Sequence, residues 1–156
     1  MRWNRPLGIL VMTSALLFDA SCFNFAGERS HDEVSRITSP SGVVDAVLVE
    51  GNGGATTSFG YKVYLVKSGK KCDSGVQAAS IYGAVRNEHA YGVNVKWIEP
   101  QVLSIEYLRA KAEPKVTSPV QINGDDFEIR LKSGVEDPHA PSGGMLYNLQ
   151  KSSGLK

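Results

Sequence analysis

Phe127-Glu128-Ile129-Arg130-Leu131-Lys132 alternates apolar and charged side chains without a break, and it is the stretch from which the fold is read. A period of two places Phe127, Ile129 and Leu131 on one face and Glu128, Arg130 and Lys132 on the other, as in a strand with one face in a core. Upstream lies Val120-Gln121-Ile122, joined to it through Asn123-Gly124-Asp125. Asn-Gly favours the left-handed backbone of a tight hairpin turn, so the two runs form a β-hairpin. The same alternation recurs in Val93, Val95 and Trp97 against Asn94 and Lys96, and in Leu103, Ile105 and Tyr107 against Ser104 and Glu106. Glu99-Pro100-Gln101 supplies the turn between them.

Further upstream, Ser39-Pro40-Ser41-Gly42 is a turn tetrad that feeds the valine-rich run Val43 to Glu50, a largely buried strand. The glycine-rich segment Gly51 to Gly60 then connects to Tyr61 to Val66 as a hairpin with a long loop. Ser68 to Gly75 reads as a basic turn around Cys72, followed by an apolar stretch at Ala78 to Tyr82. After Gly134 an extended Pro/Gly-rich loop leads to Met145 to Leu149, a candidate closing edge strand. About seven strands without a strong helix point to a mainly β fold: a single antiparallel β-sandwich or small open barrel. The domain is expected over residues 39–150, with a polar tether at 23–38 and a polar tail at 151–156.

Residues 1–22 have the order of a secretory signal peptide: Arg2 and Arg5, an apolar run from Leu7 to Phe18, then polar sequence. The run is about 12 residues long, short of the roughly 20 that span a bilayer. Cys22 stands where a bacterial lipoprotein is cleaved and lipidated, with Ala20 and Ser21 before it, although Asp19 replaces the expected aliphatic residue. Ordinary cleavage near Ser21 or Ala26 is the competing expectation. An unlipidated Cys22 is a candidate partner for Cys72, the other cysteine, in an oxidising compartment. The protein is therefore expected to be exported, either periplasmic or secreted, and to meet a membrane only through a lipid on Cys22.

With 17 Lys plus Arg against 16 Asp plus Glu, no global field draws the chain to nucleic acid. No Cys/His spacing calls for a metal, and no motif calls for a cofactor. Among polar candidates, Thr56 and Thr57 in the glycine-rich loop offer hydroxyls and backbone N–H groups to an anion or sugar, while a loop satisfying itself is the simpler account. The loop lacks the Gly-Lys-Ser/Thr ending of a P-loop. Arg86, Asn87, Glu88 and His89 gather hydrogen-bonding groups beside Tyr82 and Tyr91, and Asp137-Pro138-His139 adds a second acid and imidazole. A structural ion pair is the plainer reading of the first group.

Two local patterns look familiar. Ser39-Pro40-Ser41-Gly42 with its strand, and Val95-Lys96-Trp97 followed by Leu103-Ser104-Ile105, resemble strands of a TolB-like β-propeller blade. A propeller needs at least about four blades of roughly 40 residues each, and this chain of 156 residues has no internal repeat, so the resemblance covers strand chemistry only. Gly53-Gly54-Ala55-Thr56-Thr57 with Ser58-Phe59-Gly60-Tyr61, and Tyr82-Gly83-Ala84-Val85-Arg86-Asn87, resemble small exported bacterial proteins of unknown function. That resemblance implies a compartment and a domain type, not an activity.

The leading expectation is a non-catalytic envelope protein that binds another protein or a cell-wall component. A small envelope hydrolase is the first alternative, using His89 or His139 with Glu88 or Asp137, and it requires those two segments to share a cleft. An inhibitor or immunity-type protein, inserting the Gly51 to Gly60 loop into a partner, is the second.

Overall fold

The computed structural model describes residues 30–54 and 56–140. The signal segment, Cys22, the candidate strand Met145 to Leu149 and the polar tail lie outside the described residues. Among the described residues eleven strands follow in order: β1 Ser30–Thr38, β2 Val44–Asn52, β3 Gly60–Lys67, β4 Val76–Tyr82, β5 Arg86–Asn87, β6 Ala90–Tyr91, β7 Val93–Glu99, β8 Val102–Tyr107, β9 Lys115–Val116, β10 Val120–Ile122 and β11 Asp125–Lys132. A five-stranded sheet has the order β1-β2-β3-β4-β9, a four-stranded sheet the order β10-β11-β8-β7, and β5 pairs with β6 as a small hairpin. The protein is a mainly β, sandwich-like fold with no closed barrel.

The hairpin on which the sequence reading turns is present. Asn123 and Gly124 take φ of 57° and 93°, the left-handed pair a tight two-residue turn requires. Phe127 and Ile129 are buried and Leu131 packs against the same core. That core lies between the sheets, with Leu48, Val63, Leu65 and Ile81 from one side and Leu103, Ile105, Val120 and Phe127 from the other. Trp97 ties the layers together: its ring meets Phe127 edge-on at 5.8 Å, and its Nε1 donates to the carbonyl of Ile37 at 3.1 Å.

Two features depart from the sequence reading. Residues 30–38, read as part of a tether, form β1, which pairs antiparallel with β2 from Ser30 opposite Asn52 to Thr38 opposite Asp45. A bulge between Glu33 and Ser35 breaks the alternation, so that Val34 and Ile37 both pack on the core although three positions separate them. The charges that made this segment look solvated are matched in place, since Arg36 bonds both Glu33 and Asp45. In addition, β11 pairs with β8 in parallel within an otherwise antiparallel architecture. Parallel neighbours need a long connection. The chain makes it by leaving β8, adding β9 to the edge of the other sheet, and returning as β10.

Strand β2 is buried on both faces. Val44, Ala46 and Leu48 join the main core, while Val47 and Val49 pack on the outer face with Val66, Tyr64 and Cys72. Cys72 begins a short 3-10 turn, and its half-buried thiol has no disulfide partner among the described residues. Burial pushes that thiol above its ordinary value. Among the described residues no helix is long and apolar enough to cross a membrane.

Candidate functional site

The loop joining β2 to β3 is braced by its own groups. Asn52 Oδ1 accepts from the Gly54 N–H at 2.9 Å, and Thr57 donates both its N–H and its hydroxyl to the Gly54 carbonyl, at 3.1 and 3.0 Å. Gly54 has φ of 104°, a conformation side chains disfavour. The Ser58 N–H reaches across to the Tyr82 hydroxyl at 3.1 Å, pinning the loop to β4. The self-satisfying role expected of Thr57 is thus its observed one, and Thr56 stands exposed at the tip.

Two recesses flank this loop and share Thr57 and Ser58. One, about 350 Å³, is lined by Val49, Asn52, Lys62, Ser80 and Tyr82 among others. The other, about 590 Å³, runs between the loop and residues 109–111, with Arg86 and Phe59 among its lining.

Arg86, from β5, is the most heavily engaged of the polar residues singled out by the sequence. Its guanidinium lies over the rings of Phe59 and Tyr91 at 3.9 and 4.4 Å, donates to the Tyr91 hydroxyl, and pairs through Nη1 with Glu50 Oε1 at 3.0 Å. Glu50 is 1% exposed. Burial pushes its carboxyl above the usual range, against the opposing pull of Tyr61 and Arg86. Burial and the neighbouring Glu50 likewise raise the Tyr61 hydroxyl. Glu50 was not among the residues the sequence singled out. The signal was parity: Val44, Ala46, Leu48 and Glu50 fall on one face of a strand whose other inward positions are apolar.

Asn87 serves the turn between β5 and β6, its Oδ1 accepting from the N–H groups of His89 and Ala90 at 2.9 and 3.1 Å. The segments proposed for hydrolysis do meet, because the Asp137 N–H donates to the His89 carbonyl at 2.8 Å. Their side chains divide. His89 is 57% exposed and lies 3.8 Å from Glu88 and 4.0 Å from Glu136. Asp137 and His139 line a separate recess of about 380 Å³ with Glu50, Tyr61, Tyr91 and Ser35. There Asp137 Oδ1 accepts the backbone N–H of His139 at 2.9 Å, the usual service of an aspartate to its own turn. Among the described residues no group of three or more His, Cys, Asp or Glu is arranged to hold a metal.

The sequence reading also passed over Arg109 and Lys111, which lie on the loop after β8, beside residues 82–85. Val85 N–H donates to the Arg109 carbonyl at 2.9 Å and Lys111 N–H to the Tyr82 carbonyl at 3.0 Å. Nothing local in the sequence announces this pairing, since only the tertiary fold brings 109–111 alongside the glycine-rich loop. Comparison of the chain with family models, with curated proteins and with solved structures gives no match.

Proposed function

We propose that this chain is an exported cell-envelope protein acting as a non-catalytic binding module, which seats a cell-wall component against the Gly51–Gly60 loop. The observation that carries the reading is the braced loop with a recess on either side, both lined by Thr57 and Ser58. Binding sites commonly combine an apolar surface with a few placed hydrogen-bonding groups, and Val49 and Tyr82 beside Asn52, Thr57 and Ser58 supply that mixture. Tyr82, 45% exposed, offers a ring face of the kind that stacks on a sugar. Export is supported by the charged, apolar, polar order of residues 1–22, and Cys22 offers a lipid anchor.

Several polar groups that invite a catalytic reading are engaged in holding structure. Arg86 braces Glu50 and Tyr91, Asn87 caps its turn, and Asp137 caps the turn that carries His139. This favours binding over hydrolysis as the reading. The test is an amide NMR titration of the full chain with soluble disaccharide-peptide fragments of peptidoglycan. Saturable shifts confined to residues 52–60 and Tyr82 are the expected result. Absence of any saturable shift, or shifts centred on His89 and His139 with turnover of the fragment, would overturn the proposal.

A further inference from the structure

The recess between the Gly51–Gly60 loop and residues 109–111 has a charge character of its own. Arg109 and Lys111 stand two positions apart and both line the recess. Among the described residues neither is paired with a carboxylate; Lys62, Lys67, Lys70, Lys71 and Lys115 are likewise in no ion pair, but none of those five lines this recess. None of the described lining residues of this recess is acidic. The charge of Arg86 at its base is offset by Glu50. The local excess of positive charge therefore rests with Arg109 and Lys111, in a chain whose formal net charge is only +1.

The lysine is held in place by shape. A Cβ on Gly83 would fall 2.7 to 2.8 Å from the Cβ, Cγ and Cδ of Lys111, so the lysine stem lies directly across the glycine backbone. Gly83 has φ of 66° and is itself bonded to the Phe59 carbonyl at 2.8 Å. The glycine leaves the groove that the stem occupies. Packing the stem in this way lowers the entropy lost when the ammonium engages a ligand. Ser58 lines the same recess, its hydroxyl without a hydrogen-bond partner among the described residues, while the Ser58 N–H and the Thr57 hydroxyl brace the loop.

We infer that this recess is an anion seat, and that the component bound by the module carries a phosphate monoester there, held by Arg109, Lys111 and the Ser58 hydroxyl. Two cations match the double charge of a phosphate monoester better than the single charge of a carboxylate. A guanidinium adds paired donors suited to phosphate oxygens, and an ammonium adds a compact charge. The inference deepens the binding role proposed above and rests on it, by assigning a chemical class to one part of the ligand.

The experiment compares glucose 6-phosphate with glucose on the full chain by amide NMR titration, and adds vesicles of phosphatidic acid or of phosphatidylcholine in a sedimentation assay. Expected are saturable shifts at Ser58, Gly83 and Lys111 with the sugar phosphate and none there with glucose. Affinity should fall about tenfold or more in the Arg109→Gln/Lys111→Gln variant, both positions being exposed. It should be unchanged in Lys70→Gln/Lys71→Gln, which removes charge elsewhere on the surface. Sedimentation with phosphatidic acid vesicles alone, also lost in the 109/111 variant, would identify the phosphate monoester as that of a lipid headgroup. Equal binding of glucose and its phosphate, or loss in both double variants alike, would overturn the anion seat. If peptidoglycan fragments still shift residues 52–60 in that case, the binding module stands without it. If nothing binds, both readings fall.

Discussion

Asp45 and Glu50 lie on the same strand, on opposite faces, and both are buried at 2% and 1% exposure, yet their surroundings drive them apart. Burial alone raises either carboxyl. Around Asp45 that push is overcome by the Gly69 N–H at 2.9 Å, the Thr38 hydroxyl at 2.8 Å and Arg36 at 3.0 Å, and the group ends below its ordinary value. Around Glu50 the principal cation, Arg86, is itself enclosed by two aromatic rings, and burial prevails. A buried carboxylate surrounded by donors from nearby backbone is a joint. One that leans on an enclosed cation and a buried phenol is a dependence.

The contrast predicts its own failures. Arg86→Ala should be the most damaging single change, costing about 3–5 kcal/mol, because it leaves the buried carboxyl of Glu50 without its cation; urea unfolding measures the loss, and a cost under about 1 kcal/mol would refute the dependence. Gly92→Ala attacks the same end. Gly92 has φ of 76°, and an added Cβ would meet the Tyr61 hydroxyl at 2.3 Å, so a loss of about 2–4 kcal/mol is expected from backbone strain together with overpacking. At the other end Asp45→Asn keeps the shape but weakens the bonds from Arg36, Thr38 and Gly69, and about 1–3 kcal/mol should be lost in the same assay.

The smallest effects are pH slopes of opposite sign. A carboxyl held low in the folded state contributes stability that is present above its unfolded value, near 3.8 for Asp45, and lost as pH falls through the folded value. A carboxyl pushed up takes its proton more readily when folded. The part of the stability linked to Glu50 therefore falls as pH rises from its unfolded value, near 4.5, through the raised folded one. Unfolding measured across this range should lose the first slope in Asp45→Asn and the second in Glu50→Gln. Slopes unchanged from the parent would show that neither carboxyl is tuned as described.

How much of this was legible depended on whether a residue's partner is local in sequence. The alternation of Phe127 to Lys132 and the Asn123-Gly124 turn carry their structure in adjacent residues, and both were read directly. Strand β1 was not, because its bulge disrupts the period and its charges are balanced only once Asp45 is alongside. The same applies to the candidate site. Arg86 and Asn87 announce themselves as polar residues among aromatics, but the carboxylate that explains Arg86 lies on β2 and the cations that share a recess with Thr57 and Ser58 come from beyond β8. Composition reveals the groups; only register reveals which of them are already occupied.

Strand β1 also sets a leash. Its first residue, Ser30, pairs with Asn52, so the chain enters the sandwich at the very end from which the glycine-rich loop projects. Were Cys22 to carry a lipid, residues 23–29 would be all that separates the anchor from that end, a reach of about 25 Å even at full stretch. The seat would then work close to the bilayer surface, and the radius it patrols would be a matter of chain length rather than diffusion.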